Sequence, residues 1–213
     1  MILLGASVSP FVRKVLVVAA EKGIKLENRS VNPMISDDPD FIAASPFRKI
    51  PALKDGDYTL ADSTAIVNYL EARVPSPAVI PHEARARGKA VWFEEFADTI
   101  MFPATSKIFF NRVVAPKFLN KPGDEATADE AQQTLLPPVY AYLESVVPVA
   151  GFLVSDNFSI ADIAVTSMMV NMAFADAAAD AAQYPGLAAY YARMSARPTF
   201  AQRIAADRAM LGL

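Results

Sequence analysis

The chain contains no cysteine. That excludes disulfides, thiolate metal sites and any mechanism in which the protein itself supplies the sulfur. Histidine is almost missing too: His82 stands alone, so neither a histidine metal cluster nor an H-E-x-x-H helix can form. G-x-S-x-G, G-x-G-x-x-G and the P-loop pattern are absent. No excess of one charge is present either. The 20 Lys+Arg against 23 Asp+Glu leave a net charge of −3, which provides no basic field for nucleic acid or an anionic membrane. The richest apolar stretch, 160–182, is cut by Asp162, Asp176 and Asp180, so it is not the ~18-residue apolar run of a membrane span. The apolar opening, Met1–Gly5, lacks the basic flank of a signal peptide. These absences predict a soluble, cytoplasmic protein without a metal, nucleic-acid or membrane partner.

What is present is an ordinary globular composition, 53% hydrophobic and 20% charged over 213 residues, enough for two small domains. From residue 1 to about 75 the signals alternate between strand and helix. Ile2–Leu4 reads as a short buried strand. Ser9-Pro10 opens a helix, with serine suited to the N-cap and proline to the first helical position, and Gly23 closes it. Ile24–Val31 reads as a second strand, and a short helix is expected near Asp40–Ala44. Pro51–Lys54 and Tyr58–Leu60 are strands joined at Asp55-Gly56, a hairpin signal. In the helix that follows, Ile66, Val67 and Leu70 share one face.

Pro75, Pro77 and Pro81 give 74–81 the composition of an interdomain linker. Beyond it every long segment reads as helix, near 84–119, 125–147, 160–180, 186–196 and 199–210. Pro103, Pro116, Pro137 and Pro138 are expected to break or kink these segments. Ser159 and Asp162 have capping-box spacing, and Phe158 with Ile163 fits a hydrophobic staple.

Three patches together resemble the soluble glutathione transferases. Ser7-Val8-Ser9-Pro10-Phe11-Val12-Arg13-Lys14-Val15 is similar to the serine-type S-P-F-x-x-R/K-V patch, where the serine before proline contacts the glutathione sulfur. Arg48-Lys49-Ile50-Pro51-Ala52-Leu53 is similar to G-K-V-P-x-L, with its cis proline. Leu60-Ala61-Asp62-Ser63-Thr64-Ala65-Ile66 is similar to L-x-E-S-x-A-I. The Phe158–Asp162 capping segment matches as well, so the likeness spans most of the chain. It implies an α/β N-terminal thioredoxin-like domain at 1–75 and an all-α C-terminal helical domain at 84–213. The chain departs from the pattern in two places: Asp62 stands where glutamate is usual, and Arg48 where glycine is common. No tyrosine precedes Tyr58, which leaves a tyrosine-type mechanism without its residue.

The resemblance also implies a chemistry. A cysteinyl thiol has a pKa of about 8.5, so making glutathione a thiolate near pH 7 means lowering it by roughly two units, ~2.7 kcal/mol. A hydroxyl hydrogen bond to the thiolate supplies ~1.5–3 kcal/mol and a helix N-terminus ~0.3–1 more. Ser9 is expected to provide the first and to sit in the field of the second, with Ser7 as the alternative. Lys49 is expected to meet a glutathione carboxylate near the glycyl end, and Ile50, before cis-Pro51, to pair through its main chain with the cysteinyl unit. Asp62 and Ser63 are expected to hold the γ-glutamyl ammonium and carboxylate. Phe11, Met101, Phe102 and Phe110 are expected to line an apolar pocket for the electrophile. The resemblance further implies a homodimer. The resulting expectation is a transferase conjugating glutathione, its co-substrate, to apolar electrophiles. A glutathione-dependent peroxidase or isomerase, and a non-catalytic carrier or interaction protein, remain open.

Overall fold

A computed structural model describes all residues, Met1–Leu213. The chain forms two compact units, Met1–Ile80 and Pro81–Leu213.

The first unit runs β1 (Ile2–Leu4), α1 (Pro10–Glu21), β2 (Glu27–Arg29), α2 (Pro39–Ala44), β3 (Ala52–Asp55), β4 (Tyr58–Ala61) and α3 (Ser63–Arg73). The strands form one mixed sheet in the order β2-β1-β3-β4, with β1 parallel to β2 and the other neighbours antiparallel. Leu3, Leu4, Leu53, Val12, Val15, Ile66, Val67 and Leu70 are fully buried and make the core. Gly23, in left-handed conformation, ends α1, and the Ile24 N–H donates back to the Ala19 carbonyl at 2.8 Å. That bond occupies Ile24 in the helix end, and β2, paired only along the three residues of β1, is shorter than the expected 24–31. The hairpin turns at Gly56-Asp57, because Asp55 and Tyr58 are themselves register partners.

The proline-rich segment folds into the first unit and is held there by a buried ion pair. Lys22 Nζ meets Glu71 Oε2 at 2.6 Å and donates to the carbonyls of Val74 (2.7 Å) and Pro77 (2.8 Å), which uses all its donors. The Glu71 carboxylate accepts from the Val79 and Ile80 N–H groups at 3.2 and 3.3 Å.

The second unit is helical: α4 (Ala84–Glu95), α5 (Phe102–Phe109), α6 (Ala115–Phe118), α7 (Glu125–Glu130), α8 (Leu136–Val146), α9 (Ile160–Phe174), α10 (Pro185–Ser195) and α11 (Pro198–Leu211). The prolines do not break the long segments. Three π-helical turns, Phe96–Met101, Phe110–Val114 and Ala131–Leu135, join neighbouring helices, and each ends one residue before the residue that precedes Pro103, Pro116 or Pro137. A wider turn moves the carbonyl that a proline ring would strike and needs no N–H from the proline. Asp162 of the expected capping box accepts from the Ser159 N–H at 3.0 Å, and from Leu153 N–H and the Tyr190 hydroxyl at 2.9 Å each. α9 stops at Phe174 rather than 180, because Asp176 turns left-handed and the Tyr140 hydroxyl takes the Ala177 carbonyl at 2.8 Å. The Glu144 carboxylate starts α10 by accepting from the N–H groups of Gly186 (2.9 Å) and Leu187 (2.6 Å). No helix is long and apolar enough to cross a membrane.

Candidate functional site

The register of the sheet brings the separated patches together. Leu4 pairs with Arg29 on one side and Ala52 on the other, and Ala52 pairs with Ala61. One row of the sheet therefore holds the end of β1, the start of β3 and the end of β4. The chain leaves β1 there towards Ser9, enters β3 there through Ile50-Pro51, and leaves β4 there at Asp62-Ser63. Gly5 tightens this end. A Cβ on it would lie 2.6 Å from Val12 Cγ2 and 3.2 Å from Ile50 Cβ, so its bare backbone lets α1 and Ile50 close in.

Ser9 is the N-cap residue of α1, half-buried, with φ −66° and ψ 130°. Its carbonyl accepts from the Arg13 N–H at 2.9 Å and its own N–H donates to Ala6 at 3.0 Å, yet its side chain makes no capping bond. The first turn carries no acidic residue, so the positive end of the helix is not neutralised there. Ser7 is different: it is buried and already has a partner within the structure.

The Ile50–Pro51 bond is cis. The β3 ladder begins at Ala52, which leaves the Ile50 main chain outside it. Before it, the turn 45–49 is locked by a residue that sequence reasoning passed over. The buried Ser45 hydroxyl donates to the Lys49 carbonyl at 2.7 Å and accepts from the Lys49 N–H at 2.8 Å. Lys49 itself is exposed. Arg48 has φ +55°, the left-handed region in which glycine is at home. Its guanidinium donates to the carbonyls of Pro33 and Ser36.

Asp62 also has positive φ, +78°, and is the N-cap of α3: one carboxylate oxygen accepts from the N–H groups of Thr64 (2.9 Å) and Ala65 (3.1 Å). Ser63 follows this cap and is buried as the first residue of the helix. Behind this end, Asp38 caps α2, Arg29 bonds both Asp38 (3.3 Å) and Asp40 (3.0 Å), and Lys54 pairs with Asp40. Hydrogen bonds from Lys54 and then Arg29 hold the Asp40 carboxyl below its ordinary range.

Of the aromatic and apolar candidates, Phe11 is half-buried beside Ser9's helix start, Phe102 is half-buried and Phe110 is exposed, whereas Met101 has no exposed surface at all. The second unit carries an apolar groove of about 420 Å³, but other residues line it, among them Trp92, Phe96, Ile100, Pro103, Leu135 and Tyr142. A larger, polar cavity of about 900 Å³ surrounds Arg112, which is ion-paired with Glu125 and Asp129 at 2.7 Å each. None of the residues expected to hold glutathione or the electrophile lines either.

Comparison with known proteins agrees with this architecture. Residues 3–78 match the family model for the glutathione S-transferase N-terminal domain, and residues 109–206 that for its C-terminal domain. The chain is 31% identical to glutathione S-transferase 3 of Zea mays across 96% of its length and 93% of the relative's. It is 27% identical to a stringent starvation protein A homolog of Haemophilus ducreyi over 90% of its length and 83% of that protein's. A solved glutathione S-transferase from Methylobacillus flagellatus, with glutathione bound, superposes with a TM-score of 0.76 at 29% identity, covering 95% of this chain and 98% of that one. With a two-unit fold, one sheet row gathering three distant patches, and sequence likeness running the length of the molecule, the chain belongs to the glutathione S-transferase family.

Proposed function

We propose that the protein binds glutathione at the end of the sheet marked by Leu4, Ala52 and Ala61, ionises its thiol beside Ser9, and transfers the thiolate to an apolar electrophile. The observation that carries this reading is the uncommitted Ser9 hydroxyl at the head of α1. Capping would otherwise explain a serine before proline, and here the side chain does not cap. A hydroxyl donating to the sulfur, ~1.5–3 kcal/mol, together with the helix end, ~0.3–1 kcal/mol, covers the ~2.7 kcal/mol that ionisation requires. Ser7, buried and engaged, is the weaker choice.

In this reading the Ile50 main chain holds the cysteinyl unit beside cis-Pro51. The exposed Lys49 ammonium meets the glycyl carboxylate. Asp62 turns its second carboxylate oxygen to the γ-glutamyl ammonium, and Ser63 and the start of α3 receive the adjacent carboxylate. Phe11, half-buried at the start of α1, offers apolar surface to the electrophile, and the fully buried Met101 does not. The solution species is a cytoplasmic homodimer, and its exposed apolar residues include Phe47 at 86% and Val149 at 97%.

Retention on immobilised glutathione, followed by a spectrophotometric conjugation assay over a panel of electrophiles and hydroperoxides, tests the proposal. Binding with turnover is expected. Binding without turnover favours a glutathione-fold carrier, a reading that the likeness to a stringent starvation protein keeps in play. Turnover of hydroperoxides alone would indicate a peroxidase.

A further inference from the structure

Arg48 occupies a backbone conformation that penalises any side chain, at a position where the resembling pattern has glycine. Something must offset that strain, and the contacts of its side chain show what it holds. The Arg48 Nε donates to the Pro33 carbonyl at 3.3 Å, and a terminal guanidinium nitrogen donates to the Ser36 carbonyl. Its own N–H donates to the Ser45 carbonyl at 2.9 Å.

Those carbonyls belong to a small self-closed turn. The Ser36 N–H donates to the Asn32 carbonyl at 2.9 Å, and the Met34 N–H donates to the Asn32 side chain at 3.0 Å. The turn carries little packing of its own, with Met34 at 54% and Ile35 at 78% exposure. From it the chain passes through Asp38, which caps α2, and reaches Ser45, whose hydroxyl grips both main-chain groups of Lys49. Arg48 then reaches back to Pro33 and Ser36. Residues 33–48 are thereby a ring closed by one guanidinium, with Lys49 and Ile50 at its exit.

We propose that Arg48 is a positioning residue for glutathione: its guanidinium straps the 32–36 turn to the 45–50 turn and pre-organises the Lys49 and Ile50 main chain. This rests on the placement of glutathione proposed above. A closed ring leaves less chain to be ordered when the ligand arrives, so the strap acts on affinity. It has no part in the step at the sulfur.

Arg48→Gly separates strap from strain. Glycine accepts the left-handed backbone freely, so the variant should melt at or above the wild-type temperature, yet bind glutathione about five- to thirtyfold more weakly, ~1–2 kcal/mol. The KM for glutathione should rise by the same factor, with kcat at saturating glutathione unchanged. Arg48→Ala should lose both stability and affinity, and Arg48→Lys, with a single donor group at the tip, should recover part of the affinity. Repeating the titrations with γ-glutamylcysteine excludes a direct contact. A strap acting through Ile50 weakens this shorter ligand as well. A penalty seen with glutathione but absent with γ-glutamylcysteine would confine the effect of Arg48 to the glycyl carboxylate, away from the Ile50 main chain, and overturn the proposal. So would an Arg48→Gly protein binding glutathione as tightly as wild type. Failure of the wild type itself to bind glutathione would defeat the placement of the ligand, and the strap with it.

Discussion

Arg13 donates its N–H to the carbonyl of Ser9 at 2.9 Å, and the Ser9 hydroxyl takes no part in holding the helix that this bond begins. A substitution at Ser9 should therefore cost chemistry and spare the fold. In Ser9→Ala the pKa of bound glutathione should rise by one to two units, from the ~1.5–3 kcal/mol of a charge-assisted hydrogen bond, and turnover near pH 7 should fall roughly ten- to a hundredfold. Activity should return at higher pH, where the thiol ionises unaided. Thiolate absorbance in the binary complex, titrated against pH, reads this directly. An unmoved titration would reject the assignment.

Asp62 performs two tasks that different replacements separate. Asp62→Asn keeps an oxygen for the Thr64 and Ala65 N–H groups but removes the charge, so glutathione affinity should drop with stability within ~0.5 kcal/mol of wild type. Asp62→Ala should lose the same affinity and a further ~1 kcal/mol of stability from the cap. Calorimetric titration and thermal melts on both variants decide it. Equal melting temperatures for the two would show that the cap contributes nothing.

The Lys22–Glu71 pair, with the lysine side chain fully buried, should be intolerant of single change. Lys22→Met leaves Glu71 without its cation and two carbonyls without a donor, an expected loss of about 3–5 kcal/mol. Adding Glu71→Leu should restore only part, because the Val79 and Ile80 N–H groups then lose their acceptor. Denaturant unfolding of the single and double variants measures the non-additivity.

Phe47 exposes 86% of its surface on the turn beside Lys49, and the second unit carries an open apolar groove. If these are buried between two copies, Phe47→Ser should move the mass seen by light scattering at micromolar concentration from dimer towards monomer. A wild-type monomer, or a dimer indifferent to the change, contradicts the assembly.

Asp40 sets a pH dependence. A carboxyl held below its ordinary value of 3.8 stabilises the fold above that value, and the contribution disappears as the pH falls through the lowered one. Wild type should thus melt higher than Asp40→Asn at neutral pH, with the gap closing below about pH 4. Melting curves from pH 7 to pH 3 would show this, and a gap independent of pH would exclude the ion pairs as its source.

Much of this was legible in the sequence where the signal is local. Ser9-Pro10, Gly23 and the Ser159–Asp162 spacing each mark a helix end by short-range hydrogen-bond chemistry, and each lies where the spacing puts it. Strand lengths were less so, since β2 extends only as far as its three pairings with β1. The convergence of the three patches followed only from the resemblance, because register is a long-range property: nothing local says that Ala52 pairs with both Leu4 and Ala61. Ser45 escaped notice for a similar reason, as a serine after a helix carries no mark of a double bond to Lys49. Arg48 was visible only as a departure from a pattern, and its contacts to Pro33 and Ser36 give that departure a physical account.

The three π turns bear on how this chain is to be aligned with others. A π turn takes one more residue than an α turn to reach the next point on the helix. Each one here sits just ahead of a proline, so residue and turn form a unit of insertion. Relatives without proline at positions matching Pro103, Pro116 or Pro137 should be one residue shorter at 96–101, 110–114 or 131–135. A single-residue gap placed elsewhere in α5 or α8 would rotate every later side chain by about 100°, the step between successive residues of a helix with 3.6 residues per turn.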